Sequence, residues 1–273
     1  MSDSIETFEA SRRRLLSIAY RMLGSMAEAE DVVQETWLRW HAARPEALAT
    51  PVAWLTTVTT RLAIDRLRKL RRERDAEGHW LPEPWLVDTL PSAEDTVSRL
   101  CELSYGVLLL LERLSPDERA ALLLYEVFDA SHDEIARILG RKVEHCRQLV
   151  RRARERVKGP ARRPTRDGGA ALAGAFVAAI REQDKAAMIR LLAPDATLVG
   201  DTVPTPITAG PAALAGPLLR MAAGMRCTLV GINGGWGVML RRGPIELLLS
   251  IEPDGEFIAA VYAVMPRQVF AFA

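Results

Sequence analysis

A chain of 273 residues, 49% hydrophobic and 26% charged, carries enough apolar material for about two domains and is too apolar for a disordered polymer. The longest charge-free stretch, Thr202–Leu219, is interrupted by four prolines and cannot serve as a membrane span, and the opening MSDSIETFEASRRR lacks the apolar run of a secretory signal. Cys101, Cys146 and Cys227 fit neither a disulfide framework nor a zinc site, so the expectation is a soluble, cytoplasmic chain without metal or cofactor.

Helix-start patterns recur along the first 160 residues. Ser25-x-x-Glu28, Ser92-x-x-Asp95, Ser115-Pro116-x-Glu118 and Ser131-x-x-Glu134 each place a hydroxyl before a carboxylate at capping-box spacing. Thr50-Pro51 adds a start with proline at the first helical position. Apolar residues then recur at helical intervals: Leu15, Ile18, Ala19, Met22; Val32, Val33, Thr36, Trp37, Trp40; Leu55, Val58, Leu62. No stretch here alternates with period two, so this half is expected to be all helix. Arg72–Pro91 and Gly159–Gly169, rich in proline and glycine, read as linkers. The expected segments are 1–72, an acidic proline-containing linker 73–91, 92–158, a second linker 159–169, and 170–273.

The last segment reads differently. Ala170–Leu192 fits two short helices hinged at Gln183-Asp184, and a further helix fits Pro211–Ala223. Four β-prone runs follow, Cys227–Ile232, Trp236–Leu240, Ile245–Ile251 and Phe257–Val264, parted by turn residues such as Asn233-Gly234-Gly235. That pattern predicts an antiparallel meander covered by helices, an α+β domain.

The net charge of +1 hides strong blocks. Residues 61–74 hold seven basic and two acidic side chains, 75–134 three basic and fourteen acidic, and 141–166 eleven basic and two acidic. Two cationic blocks around an anionic one suggest two footprints on a polyanion, although solvated helix faces produce the same counts. The second block lies in SHDEIARILGRKVEHCRQLVRRARERVK, Ser131 to Lys158, where a capped helix stops at Gly140 and a second carries Cys146, Leu149, Val150 and Ala153 inward. This is a helix-turn-helix pattern. It leaves Lys142, His145, Arg147, Gln148, Arg151 and Arg152 on the outer side, residue types suited to phosphates and base edges. His145 and Cys146 have no companion ligands, and Cys146 reads as core. The first block lies on a helix from Pro51, where Leu55, Val58 and Leu62 face inward and Arg61, Arg66, Arg68 and Lys69 can reach a backbone. Trp54 and several threonines on the same helix suit unpaired bases, although core packing explains Trp54 equally.

These residues carry a resemblance. MLGSMAEAEDVVQETWLRWHA, PVAWLTTVTTRLAIDRLRK and LSPDERAALLLYEVFDASHDEIARILGRKVEHCRQLVRRARERV resemble the two conserved regions of bacterial extracytoplasmic function (ECF) RNA polymerase sigma factors. CRQLVRRAR, the linker stretch HWLPEPW and the tail resemble the SigJ-like group, which carries a fused SnoaL-like domain. The implied fold is multidomain: two all-α sigma domains, the second with the helix-turn-helix, then an α+β SnoaL-like cone-shaped curved sheet. The implied partners are core polymerase, through its β′ clamp helices and β flap, and promoter DNA. Asp31, Gln34 and Glu35 match the stretch that docks on the clamp helices, and a spacing of three and four keeps them on one helix face. The loop His41–Val52 corresponds to the one that captures a flipped minus-ten base. Trp54, Arg61, Asp65, Arg66, Arg68 and Lys69 fall on the element that melts and reads that promoter box. Lys142 to Arg152 matches the helix that enters the minus-thirty-five major groove. The acidic linker corresponds to a segment threading through polymerase toward the RNA exit path.

The tail departs from its group. Asp201-Thr202-Val203-Pro204-Thr205 stands where relatives carry Asp-Gly-Gly-Gly-Lys, and Met265-Pro266-Arg267-Gln268-Val269 replaces Asn-Pro-Asp-Lys-Leu. The resemblance implies that this domain contacts the sigma regions and modulates them in cis; its pocket is a candidate site for an unidentified small ligand. Asp195 and Asp201 are the only candidates for a general base there, with no histidine beyond residue 145, so no catalytic residue is expected. The alternatives are a one-component, ligand-sensing helix-turn-helix regulator and a fused cyclase-like enzyme.

Overall fold

The computed structural model describes residues 2–43, 48–74, 81–87, 104–157, 166–200 and 203–265. They divide into two compact units, 1–78 with 108–159 and 79–107 with 160–273. The connection between the two expected sigma segments thus packs with the C-terminal domain.

The first unit is helical. It contains α1 (Ser2–Leu23), α2 (Met26–Ala42), α3 (Pro51–Arg74), α5 (Pro116–Glu126), α6 (His132–Leu139) and α7 (Val143–Arg156), with α4 (Tyr105–Leu111) running in from the other unit. The capping patterns form as written. Ser25 accepts from the Glu28 amide, and Ser115 with Glu118 and Ser131 with Glu134 make reciprocal capping boxes. Ser92-x-x-Asp95 lies outside the described residues. Leu15, Ile18, Ala19 and Met22 are buried, as their spacing requires. On α3 the buried stripe differs from the expected one. Leu55, Ala63, Ile64 and Leu67 face the core together with Thr56, Thr59 and Thr60, whereas Val58 and Leu62 are only half-buried. The threonines can go inside because the helix satisfies some of their hydroxyls: Thr56 Oγ1 donates to the Val52 carbonyl, and Thr59 and Thr36 hydroxyls meet at 3.1 Å. Three of the threonines expected to face DNA are therefore core residues.

The second unit is built on a seven-stranded sheet in the order β1-β4-β5-β6-β7-β2-β3. Its strands are β1 (Leu86–Val87), β2 (Leu192–Gly200), β3 (Val203–Thr208), β4 (Arg226–Ile232), β5 (Gly235–Arg242), β6 (Ile245–Asp254) and β7 (Phe257–Val264). The expected meander is present in β4 to β7. Two strands went unforeseen, and they make the sheet mixed: β2 runs parallel to β7, and β3 closes the edge antiparallel to β2. Their prolines disguised them. Pro194 falls where the β2–β7 register shifts, and Pro204 and Pro206 sit in the edge strand, where one row of backbone groups has no ladder partner. Three helices, α8 (Arg166–Glu182), α9 (Lys185–Leu191) and α10 (Pro211–Ala222), cover one face. Phe176, Ile180, Met188, Leu214 and Leu218 pack there on Val238, Leu240, Leu249, Ile251 and Val261.

The opposite face holds the connecting segment, whose prolines favour an extended course and which adds a strand that no period-two pattern announced. β1 pairs antiparallel with β4, Leu86 opposite Ile232 and Val87 opposite Gly231. Two residues are too short for a periodicity to register. Leu86 packs on Ile232, Met239 and Leu248, and Gly237 keeps the space open, since a Cβ there would lie 2.0 Å from Ile232 Cδ1. The left-handed Asn233 (φ 50°) closes the clasp: Trp85 N–H donates to Asn233 Oδ1 at 3.0 Å, and Asn233 N–H donates back to the Trp85 carbonyl at 3.0 Å.

Candidate polymerase and nucleic-acid interfaces

On α2, Met26, Ala29, Val32, Val33, Thr36 and Trp40 turn inward. The Trp40 indole donates to the Ser4 carbonyl at 3.0 Å and fixes the helix against α1. The opposite side presents Asp31 and Gln34 to solvent, with Glu35 half-buried and paired to Arg39 at 2.8 Å. Leu38, 58% exposed, continues this line at the next turn. Sequence reasoning missed Leu38, although its i+7 spacing from Asp31 could have found it.

The residues on α3 are brought onto one helix but do not share one environment. Trp54 is half-buried with its ring 5.7 Å from that of Trp40, so packing occupies one face of it. Asp65 is exposed and accepts from Arg68 Nη1 at 3.1 Å. Arg66 grips Glu28 of α2 with both Nε and Nη2, which holds its guanidinium still more firmly protonated. Lys69 lies 3.8 Å from Glu73 and is otherwise solvated. Arg61 and Arg68 reach across to α5 and α6. The loop His41–Val52 is described only at its ends, residues 44–47 lying outside the described set.

The second helical pair has the turn its sequence calls for. Gly140 takes φ 63°, a left-handed conformation open to glycine at little cost, and ends α6. Cys146, Leu149 and Val150 pack against Ala121, Leu124, Ile135 and Ile138, and Ala153 is buried on the same side. Burial pushes the Cys146 thiol up, as for an unreactive core cysteine. His145, Arg147, Gln148, Arg151 and Arg152 are all exposed on α7, and Lys142 is exposed at its N-cap. Their neighbours are not equivalent: Arg154 pairs with Glu126 at 2.5 Å and lies over the Tyr125 ring, while Arg156 pairs with Glu118. The fold thus separates the cations of one block into solvent-facing and internally paired sets, a distinction that charge counting cannot make.

The Sigma-70 region 2 family pattern matches residues 7–73, and the Sigma-70, region 4 pattern matches residues 106–157. A crystal structure of the Mycobacterium tuberculosis extracytoplasmic function sigma factor SigJ aligns over 96% of both chains, with TM-score 0.74 and 30% identity. This chain belongs to the ECF sigma factors. By sequence, the ECF RNA polymerase sigma factor SigJ of M. tuberculosis is 39% identical over 206 residues, 72% of this chain and 65% of that protein. The probable ECF RNA polymerase sigma factor SigI of the same species is 35% identical over 153 residues, 55% of this chain and 52% of that protein. The matches span between half and two-thirds of these curated relatives. In this sigma factor the region 2 match covers α2 and most of α1 and α3, and the region 4 match contains the helix-turn-helix. Family membership does not favour a one-component regulator.

The C-terminal domain of this ECF sigma factor has helices over one face of its sheet, as expected. Asp195 is exposed on β2, which is not the apolar setting of a general base, and Asp201 lies outside the described residues; of the altered stretches 201–205 and 265–269, residues 201–202 and 266–269 also lie outside. A carboxyl group of strongly perturbed acidity lies elsewhere. Glu252 of β6, 5% exposed, has its pKa raised by burial to about 7, against hydrogen bonds from Ser104 and the Gly106 amide. Beside it the Tyr262 hydroxyl is also raised by burial, and the Tyr105 ring meets that of Tyr262 at a tilt, with centroids 5.2 Å apart. Tyr105 donates to the Pro82 carbonyl at 2.6 Å, so this cluster ties both ends of the connecting segment to the sheet. Among the described residues no group of three or more histidine, cysteine or acidic side chains could hold a metal, and no helix is long and apolar enough to cross a membrane.

Proposed function

We propose that this chain is a promoter-recognition subunit of RNA polymerase. Asp31, Gln34 and Glu35 dock on core polymerase. Trp54, Arg61, Asp65, Arg66, Arg68 and Lys69 act at the minus-ten element, and Lys142, His145, Arg147, Gln148, Arg151 and Arg152 at the minus-thirty-five element. The observation that carries this reading is α7, a helix whose buried residues Cys146, Leu149, Val150 and Ala153 are apolar and whose exposed side is mainly cationic, with Arg147, Arg151 and Arg152 in solvent. The protein works by binding and not by turnover, since stacking and phosphate contacts to unpaired bases offset the cost of opening the duplex. It acts in the cytoplasm, where polymerase and chromosome are. In a pull-down with purified core polymerase the chain is retained, and Asp31→Ala with Glu35→Ala weakens retention; no retention of the parent chain would reject the reading.

The C-terminal domain modulates this activity in cis by holding the connecting segment. Leu86–Val87 add a short edge strand to its sheet, with Trp85 hydrogen-bonded to Asn233, a familiar way for a sheet to bind an extended peptide. A segment held there is not free to thread through polymerase. Asn233→Gly keeps the left-handed turn while removing the carboxamide that grips Trp85, and it should change run-off transcription from mapped start sites. Output identical to that of the parent chain would remove the clasp from the mechanism.

A further inference from the structure

A cleft of about 470 Å³ opens in the helical unit between α1, the first turns of α3 and the α5–α6 hairpin. That volume falls in the range of small-molecule sites, ~300–1,000 Å³. None of the side chains just assigned to polymerase or promoter lines it. Much of the lining is apolar: Leu124, Phe128 and Ile138 are buried, and Val52 remains 46% exposed, a branched side chain that packing has not covered. Cations line the same cleft. Arg14 of α1 holds its guanidinium 5.4 Å from the centre of the Phe128 ring, and its Nε, shut away from solvent, has no hydrogen-bond acceptor among the described residues. A buried N–H left in this way is costly, so the atom marks where an acceptor belongs. Arg137 of α6 adds a second, exposed cation.

The charges also restrict the occupant. Asp129 and Glu134 line the cleft beside the two arginines. Glu134 stays a carboxylate, its pKa held down by Ser131, whose amide and hydroxyl both donate to its Oε2 at 2.8 Å. Two fixed negative charges oppose a phosphate dianion, whereas a single carboxylate suits the fork of a guanidinium and an apolar body suits the walls. We propose that this cleft is a binding site for a small monocarboxylic acid with an apolar body, its carboxylate accepting from Arg14 Nε and its body packed between the hairpin and the first turns of α3. The site lies in the helical unit and not in the C-terminal domain, where the resemblance implies a ligand, and it does not depend on the promoter reading.

The test uses the full chain alone with three probes of similar shape: naphthylacetate, its neutral amide and naphthylmethyl phosphate. In ligand-observed NMR titrations the acid should bind at least about tenfold more tightly than the amide, the scale of one charge-assisted hydrogen bond. The phosphate should bind more weakly than the acid. The acid, and not the amide, should raise the Tm of the helical unit, because it touches three of its elements in the folded state only. Arg14→Gln should bring the acid down to the level of the amide. Ala53→Glu should do the same by like charge; it changes an exposed position in the first turn of α3, where a carboxylate suits the helix end, and it keeps the comparison available if the Arg14 variant unfolds. Melting curves without probe show which variants are folded. Equal binding of acid and amide by the parent chain, tighter binding of the phosphate, or a preference for the acid that survives in either folded variant would overturn the site. The assay contains neither polymerase nor DNA, so its failure and that of the polymerase pull-down are separate results.

Discussion

The cationic helices α3 and α7 look alike in a charge count but live in different circumstances. Arg61, Arg66 and Arg68 on α3 each place two donors on a carbonyl pair or on carboxylates of the chain itself, whereas α7 turns Arg147, Arg151 and Arg152 to solvent. The cause is partly register. The apolar side of α7 is narrow and continuous, so every remaining position faces out. The buried side of α3 is wide and shared between α1, α2 and the hairpin, which leaves its arginines at the rim of a packed interface. A positive run thus states capacity for an anion but not whether the anion is supplied from within.

The sharpest way to break this comparison is to remove an internal partner from a cation that has no other recourse. Arg119 of α5 is fully buried, its charge is disfavoured by that burial, and its Nη2 donates to Glu112 at 2.6 Å. Glu112→Ala should destabilise the helical unit by about 3–5 kcal/mol in denaturant melts, because the remaining charge is stranded. Arg119→Met, which removes the charge with its need, should cost less than about 1.5 kcal/mol. Equal losses from the two changes would show that packing, and not charge, governs this site.

The C-terminal unit holds the anionic counterpart, with a smaller effect. The folded pKa of Glu252, near 7, lies above its ordinary value of 4.5, so burial favours the protonated form. The clasp should therefore be strongest below about pH 4.5, weaken as pH rises toward 7 and level off above it, a span worth at most about 3 kcal/mol. Hydrogen exchange at the Trp85 amide across that range should rise with pH beyond the intrinsic rate, and Glu252→Gln should flatten the excess. An excess that survives the substitution would locate the titrating group elsewhere.

Much of this was legible in the chain because the signals were local. Capping serines, the glycine ending α6 and the stripe Cys146, Leu149, Val150, Ala153 each act within one or two turns, and the structure follows them. What was not legible depended on distant partners. Leu86–Val87 is a strand only because β4 offers an edge about 145 residues away in the chain, as their pairing shows. The prolines of β2 and β3 resemble breakers until one sees a register shift and a sheet edge. The α3 threonines looked like DNA-facing hydroxyls because a sequence cannot show that Thr36 waits opposite Thr59. The site residues on α2 and α7 could be placed on faces from spacing alone, but the occupation of Arg61 and Arg68 could not.

The smallest effect separates the two helices most cleanly. Arg151 is 73% exposed with only a 3.8 Å contact to Glu155, so removing it costs little folding stability. On duplex DNA, Arg151→Ala should lower affinity and reduce the slope of log affinity against log salt by about 1, as for a lost phosphate contact. Lys69 has a matching weak contact, 3.8 Å to Glu73, yet sits on the helix whose arginines are engaged. In the polymerase-free chain, Lys69→Ala should leave duplex affinity and its salt slope unchanged. Fluorescence anisotropy with the same duplex at several salt concentrations compares the two directly. An equal change in slope for both substitutions would mean that α3 already faces DNA in the free chain, and the contrast between the two helices would vanish.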